Sequence, residues 1–362
     1  MNTMNNKLRW GVLGAGQIAK VFCNAMRFSK TSELKAVAST QFQRGLDLSQ
    51  FSGLSPRVEQ SYTDLLQSSD IDAVYIANLN HQHYPLALAS LRAGKHALIE
   101  KPITLYEKEL VHLVSVAEQE KRLLMEGFMY RCHPQLDRLR SHIEKQTIGR
   151  IKVMRASFAY QATFDPQGRL FSKDLGGGAL YDVGCYPTSL AIWLSNILTK
   201  EEFPHSVTDQ HFEVQGRIGS TGVVEAGVMH FQLINGTKIQ LQTSIIETLP
   251  SQVILEGSEG RITLKDPWLS SSPCRFADTP LVLNTVFEPA EIIIEQWNEN
   301  KPTSQVEKVE VDRDLFTYEI DHFVGSIENL SSNKIPLQDS LANIRLLEQW
   351  RSSIHELQMN DI

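Results

Sequence analysis

"LRWGVLGAGQIAKVFCNAM", residues 8 to 26, passes from an apolar run through a glycine turn into a segment with helical spacing. The apolar run suits a parallel strand covered on both faces, which reads as nearly continuous hydrophobics. Beyond the turn, Ile18, Val21, Phe22, Ala25 and Met26 fall on one helical face. "LKAVAST" (34–40) reads as a second strand, so strand, turn, helix and strand make a βαβ unit. The turn, Gly14-Ala15-Gly16-Gln17-Ile18-Ala19, matches G-x-G-x-x-A. Gly14 permits the bend, Gly16 lets the amides of the helix start at Gln17 and Ile18 approach a pyrophosphate, and Ala19 lets helix and strand pack closely. This is a dinucleotide site in its expected context.

Alternation continues outward. "IDAVYIANLN" (71–80), "HALIEKP" (96–102) and "RLLMEGFMYR" (122–131) read as strands, with helices at 83–94 and 106–121 between them. The pattern implies a doubly wound parallel sheet, whose ligands sit at the carboxyl ends of the strands. Asn80 with His83, Glu100-Lys101-Pro102 and Tyr130-Arg131-Cys132-His133-Pro134 all fall at such ends. The end of the second strand bears on the choice of cofactor. NAD sites commonly carry an acid there, whereas this chain has Ser39, Thr40 and Gln41, with Arg44 nearby to meet a 2′-phosphate. NADP is the expected cofactor, NAD stays open, and Arg44 facing solvent at a helix start is the plainer alternative.

After about residue 150 strands follow strands. "IKVMRASFAY" (151–160) alternates, 222–246 reads as two strands around Asn235-Gly236, and 251–265 as another pair. A large open antiparallel sheet in an α+β domain is expected, giving a boundary of 1–130 and 131–362. Helices at 314–329 and 336–358 are expected to pack back on the first domain, and 266–290 reads as an irregular excursion. The alternating Val224, Ala226, Val228, His230, Phe231 and Leu233 suggest a sheet face covered by a partner subunit, hence a homo-oligomer.

Composition excludes several classes. With 362 residues, two domains are the natural expectation. A formal net charge of -7 argues against nucleic-acid binding, and no apolar run is long enough for a membrane helix or a secretory signal. Four separated cysteines give neither a disulfide framework nor a metal site. A cytoplasmic setting, no membrane and no metal are the expectations.

The ordered blocks "GVLGAGQIA", "NLNHQH", "EKP" (100–102), "EGFMYRCHP" (126–134) and "GGGALYDVGCY" (176–186) together resemble the glucose-fructose oxidoreductase / inositol dehydrogenase (Gfo/Idh/MocA) family, over nearly the whole chain. "EGFMYRCHP" and a tyrosine at 186, where many members have histidine, point to the dihydrodiol dehydrogenase and NADP-linked xylose dehydrogenase branch. The departures are Cys132 in place of an aromatic and "ANLN" in place of A-T-P-N. The resemblance implies a pyridine-nucleotide enzyme with Lys101 as the catalytic lysine and Asp182 and Tyr186 as its companions. It also implies that Asn80, His83, Glu100 and Lys101 serve the cofactor, and that substrate meets Arg131, His133 and the loop 161–175 with Phe164.

Oxidising a secondary alcohol needs a base on the hydroxyl and a hydride acceptor at the same carbon. An unperturbed phenol titrates near 10, too high for efficient base work at neutral pH, and a nearby ammonium favours phenolate. Tyr186 is therefore expected as acid/base, Lys101 as its activator, and Asp182 as the group orienting Lys101 or a substrate hydroxyl. The plainer readings are Tyr186 as a packing anchor, Asp182 as a helix cap, and Arg131 with His133 holding a strand end. Gly176–Gly178 are read as a bend that lets the helix start approach the nicotinamide, with Asp182 and Tyr186 on one helical face. The expected activity is hydride transfer between a nicotinamide and a sugar or cyclic trans-diol. The alternatives are a sugar–sugar oxidoreductase with tightly held NADP and a non-catalytic NADP sensor.

Overall fold

The computed structural model describes residues 7–208, 212–275, 279–297 and 302–360. The chain forms two compact units. The first runs to His133 and takes in Ser271–Glu288 and Val311–Leu337, and the second comprises Pro134–Ser270, Pro289–Glu310 and the chain from Gln338.

In the first unit β1 (Leu8–Leu13), β2 (Ser32–Ala38), β3 (Arg57–Glu59), β4 (Ala73–Ile76), β5 (His96–Glu100) and β6 (Leu124–Gly127) make a parallel sheet in the order β3-β2-β1-β4-β5-β6. The crossover helices are α1 (Gln17–Met26), α2 (Phe42–Ser52), α3 (Tyr62–Gln67), α4 (Asn80–Arg92) and α5 (Glu107–Glu120). α3 starts where the Ser61 hydroxyl accepts the N–H groups of Thr63 and Asp64. α5 starts with Glu107 and Glu109 in its first turn, which suits the helix dipole. Strand order reverses between β1 and β4, where a doubly wound sheet opens a crevice. The core is aromatic: Phe22 stacks on Tyr75 with centroids 3.8 Å apart, and Trp10 meets Phe22 at 5.5 Å while its Nε1 donates to Ser32 Oγ. The strand read over 122–131 stops at Gly127, and Met129–Cys132 forms the short helix α6.

The second unit opens with α7 (Pro134–Glu144) and β7 (Ile151–Ala159), then α8 (Cys185–Thr199) after a π-helical turn at Leu180–Gly184. β8 (Glu213–Ile218), β9 (Val224–Gln232), β10 (Lys238–Ser244), β11 (Gln252–Gly257), β12 (Gly260–Lys265), β13 (Ala290–Gln296) and β14 (Thr303–Val309) complete an eight-stranded sheet ordered β14-β13-β12-β11-β7-β10-β9-β8. Hairpins make it mostly antiparallel, yet β7 and β10 pair in parallel, because the chain leaves β7 for α8, re-enters the sheet at the edge strand β8 and winds back through β9 to β10. β9 does not present its apolar residues on one face. Met229 and Phe231 are buried, while the alternate Val228 and His230 are half-buried on the other face.

The last two helices separate. α9 (Leu315–Ser326), capped by Asp314 accepting the Phe316 N–H, lies in the first unit, where Phe323 meets Trp10 at 4.9 Å. α10 (Leu337–Asn360), expected on the first domain, instead covers the second unit's sheet, with Trp350 and Ile354 buried against the backbone of β9 and β8 at Gly227 and Gly216. The excursion 266–290, apart from 276–278, which lie outside the described residues, carries Ser271–Glu288 into the first unit.

Candidate active site

The first unit carries a dinucleotide cradle. Gly14, at φ +97°, lies where a Cβ would press on Ala77 O and Asn78 Oδ1 at 3.0 and 3.1 Å, so the turn after β1 runs close against the end of β4. A Cβ on Gly16 would meet nothing within 4 Å, and α1 begins there with no side-chain cap and no acid in its first turn. Open space before an uncapped helix start, with Gln17 exposed and Ile18 half-buried, fits a pyrophosphate. At the end of β2 Ser39 is buried, its hydroxyl accepting the Gln41 N–H, whereas Thr40 and Arg44 are exposed around the start of α2. Asn80 opens α4, and Lys101 is half-buried just past β5.

Other residues expected at this edge turn inward. His83 is fully buried, with Nδ1 2.8 Å from Pro102 O and Nε2 3.1 Å from Asn78 O. Desolvation holds its pKa down at about 4, so the ring is neutral and donates to one of the two carbonyls. The ring brackets the segment after Lys101 instead of presenting a nitrogen outward. Glu100 accepts a 2.5 Å hydrogen bond from Tyr75 Oη inside the unit, and burial pushes its carboxyl up. Arg131 is 4% and His133 1% exposed, and the His133 ring meets Tyr318 of α9 at 5.6 Å.

In the second unit the structure gathers Asp182, Tyr186 and three residues the sequence reading missed. Asp182 lies in the π turn, not at the cap of α8, whose N-cap is Gly184. Asp182 Oδ2 accepts from Tyr160 Oη at 2.5 Å and Oδ1 pairs with Arg169 Nη1 at 2.7 Å. Burial and the adjacent Asp182 carboxylate push the Tyr160 phenol well above its ordinary range, so it stays a proton donor. Burial opposes the Arg169 charge, and Asp182 more than offsets it. Tyr186 is 4% exposed, its ring 5.1 Å from Phe158 and 6.0 Å from Trp268, whose Nε1 donates to Ser157 O. Phe158 on β7 meets Tyr186, and Tyr160 just past the end of β7 meets Asp182, so both residues contact one short stretch of chain. Tyr160 was visible as the end of an alternating strand. Arg169 and Trp268 sit in loops with no periodic signal.

The glycine run serves a different purpose from the expected one. A Cβ on Gly177 would lie 2.7 Å from Arg169 O and Leu170 O and 2.8 Å from Ser172 O. It is the chain's own loop that needs the space, not a ligand. That loop exposes Phe164 at 54%, with its ring 4.9 Å from Phe171.

A parallel Rossmann sheet with an open glycine turn, followed by a large, mostly antiparallel sheet, is the architecture of a pyridine-nucleotide oxidoreductase. Residues 8–128 match the family described as "Oxidoreductase family, NAD-binding Rossmann fold", and residues 136–263 match the "GFO/IDH/MocA C-terminal domain". The chain belongs to the Gfo/Idh/MocA oxidoreductase family. It is 30% identical over 267 residues to a trans-1,2-dihydrobenzene-1,2-diol dehydrogenase of Xenopus tropicalis, covering 73% of this chain and 77% of that one. Over 188 residues, 51% of this chain and 55% of the relative, it is 36% identical to a dTDP-3,4-didehydro-2,6-dideoxy-alpha-D-glucose 3-reductase of Actinomadura kijaniata. A 3-ketoreductase of Actinomadura kijaniata, solved with NADP and TDP-benzene, superposes with a TM-score of 0.80 at 25% identity, covering 96% of this chain and 98% of that one. Among the described residues no helix is long and apolar enough to cross a membrane.

Proposed function

We propose that the protein is an NADP-dependent dehydrogenase that moves hydride between the nicotinamide and a secondary alcohol or hemiacetal carbon of a sugar or cyclic trans-diol. The observation that carries this reading is the second unit's half-site, in which the Asp182 carboxylate accepts from Tyr160 and the buried Tyr186 ring packs on Phe158, two positions before Tyr160 in the chain. The relatives support the substrate class, since they are named for a cyclic diol and a deoxysugar. Exposed Arg44 and Thr40, with no acid at the end of β2, favour NADP over NAD. The bound cofactor supplies the hydride acceptor. Tyr186 takes the substrate hydroxyl proton, Lys101 contributes the positive charge that favours phenolate, and Asp182 accepts from a substrate hydroxyl or orients Lys101. Tyr160 is committed as a donor to Asp182, so it is not assigned the base role.

The test is a panel of aldoses, inositols and cyclic diols with NAD and NADP, followed by the absorbance of reduced nicotinamide. Tyr186→Phe and Lys101→Met should each lower kcat by about 100-fold or more while NADPH still binds. Near wild-type turnover in both variants overturns the assigned roles, and NADPH binding with no turnover across the panel favours a sensor. Cofactor that survives gel filtration favours the sugar–sugar oxidoreductase. Association through the half-buried face of the large sheet, in a cytoplasmic setting, belongs to the same proposal. A monomeric mass by light scattering at micromolar concentration would count against it.

A further inference from the structure

Asp182 has two dedicated partners that come from outside its own helix. Tyr160 follows β7 directly and is tied to the neighbouring β10 by its backbone N–H donating to Ser244 O at 3.1 Å. Arg169 comes from the loop 161–175, and its side chain is 56% exposed against 11% for that of Asp182. The loop backbone just after Arg169 is fastened to the segment just before Asp182. Gly178 N donates to Leu170 O at 2.8 Å and Gly177 N to Ser172 O at 2.9 Å. Loop, glycine run and carboxylate therefore form one closed circuit of hydrogen bonds.

A carboxylate offers about four acceptor directions in one plane. Tyr160 on one oxygen and Arg169 on the other fix that plane from opposite ends. A flexible aspartate would accept from whatever hydroxyl came near, whereas a clamped one accepts only along set directions. We propose that Arg169 and Tyr160 are positioning residues for Asp182, and that the loop 161–175, acting through Arg169, selects the substrate hydroxyl that Asp182 accepts from. The ligand chemistry this fits is a polyol with a hydroxyl beside the reacting carbon. The inference rests on the reading of Asp182 as a group that serves the substrate.

The experiment uses the full-length protein, with whichever of D-xylose, myo-inositol and trans-cyclohexane-1,2-diol the wild type turns over fastest. Arg169→Met should raise KM for the polyol about 10- to 100-fold, the effect of losing a hydrogen bond to a charged group, while kcat falls by less than about 3-fold. Tyr160→Phe should do the same by about 5- to 10-fold, a neutral donor being worth less. Arg169→Lys should recover part of the loss, and the Kd for NADPH and the Tm of each variant should stay near wild type. The proposal is overturned if both variants keep KM within about 2-fold, or if KM, NADPH affinity and Tm fall off together as a structural role requires. Asp182→Asn separates the two readings. If it leaves KM and kcat unchanged, Asp182 does not serve the substrate at all. If it is impaired while Arg169→Met and Tyr160→Phe are normal, only the clamp is wrong.

Discussion

The glycine turn at Gly14–Gly16 and the glycine run at Gly176–Gly178 look alike in sequence and are used in opposite ways. A Cβ on Gly16 would enter empty space before an uncapped helix, which fits the pyrophosphate proposed there. A Cβ on Gly177 would strike three carbonyl oxygens of the chain itself. The first glycine leaves open space at a helix start, and the second makes room for the loop that delivers Arg169. Glycines in an active site are therefore not evidence of ligand approach until their surroundings are known.

The largest expected effect breaks that comparison at its crowded end. Gly177→Ala should destabilise the protein by about 1–3 kcal/mol, toward the upper end because backbone carbonyls cannot swing aside as a flexible side chain can. Gly16→Ala should leave the urea midpoint nearly unchanged and weaken NADPH binding. Equal stability losses in the two variants would mean that the two turns are built alike.

Next comes His83→Ala, which removes the bracket between Pro102 O and Asn78 O. Loss of these buried contacts should cost about 1–3 kcal/mol in urea unfolding and loosen the segment around Lys101, raising the Kd for NADPH. His83→Asn, which keeps a donor, should recover part of both. An alanine variant with unaltered stability and cofactor affinity would show that the ring is not a bracket.

These cases show what was legible in the sequence. The βαβ start could be read because its apolar period, glycine spacing and helix face all follow from local chain geometry. Motif resemblance singled out Lys101, Asp182 and Tyr186, with no knowledge of what surrounds them. Direction of side chains was not readable. Glu100 and His83 sit at the carboxyl edge as the pattern says, yet the chain turns both inward, to Tyr75 and to two carbonyls. The parallel pairing of β7 with β10, and the docking of α10 on β8 and β9, depend on contacts between residues far apart in sequence, to which periodicity is blind.

A smaller effect concerns burial without a partner. Glu319 on α9 is fully buried, and neither of its carboxyl oxygens has a hydrogen-bond partner among the described residues. Desolvation first, and then the nearby Glu100, push its carboxyl well above the usual range. The folded state therefore holds a proton that the unfolded state releases above the ordinary carboxylate value of 4.5. The group's stabilisation is complete below that value and is lost as pH rises toward the folded pKa. The wild type should thus lose stability through this group as pH rises above about 4.5, and Glu319→Gln should flatten that decline. Parallel urea midpoints for the two proteins across that range would show that Glu319 is ionised in the folded state.

The smallest effect tests whether the second unit's arginines differ by place or by kind. Arg155 on β7 also meets a carboxylate, Glu256 of the neighbouring strand, at 2.8 Å, and 44% of its side chain is exposed. It resembles Arg169 in exposure and distance, but its partner lies on the sheet face and not beside Tyr186. A half-exposed pair of this sort is screened by solvent and contributes about 0–1 kcal/mol. Arg155→Ala should therefore shift the urea midpoint barely at all and leave the polyol KM untouched, while Arg169→Met changes KM at a similar Tm. If Arg155→Ala alters KM as strongly, guanidinium charge at a distance explains both results, and the clamp on Asp182 loses its claim to specificity.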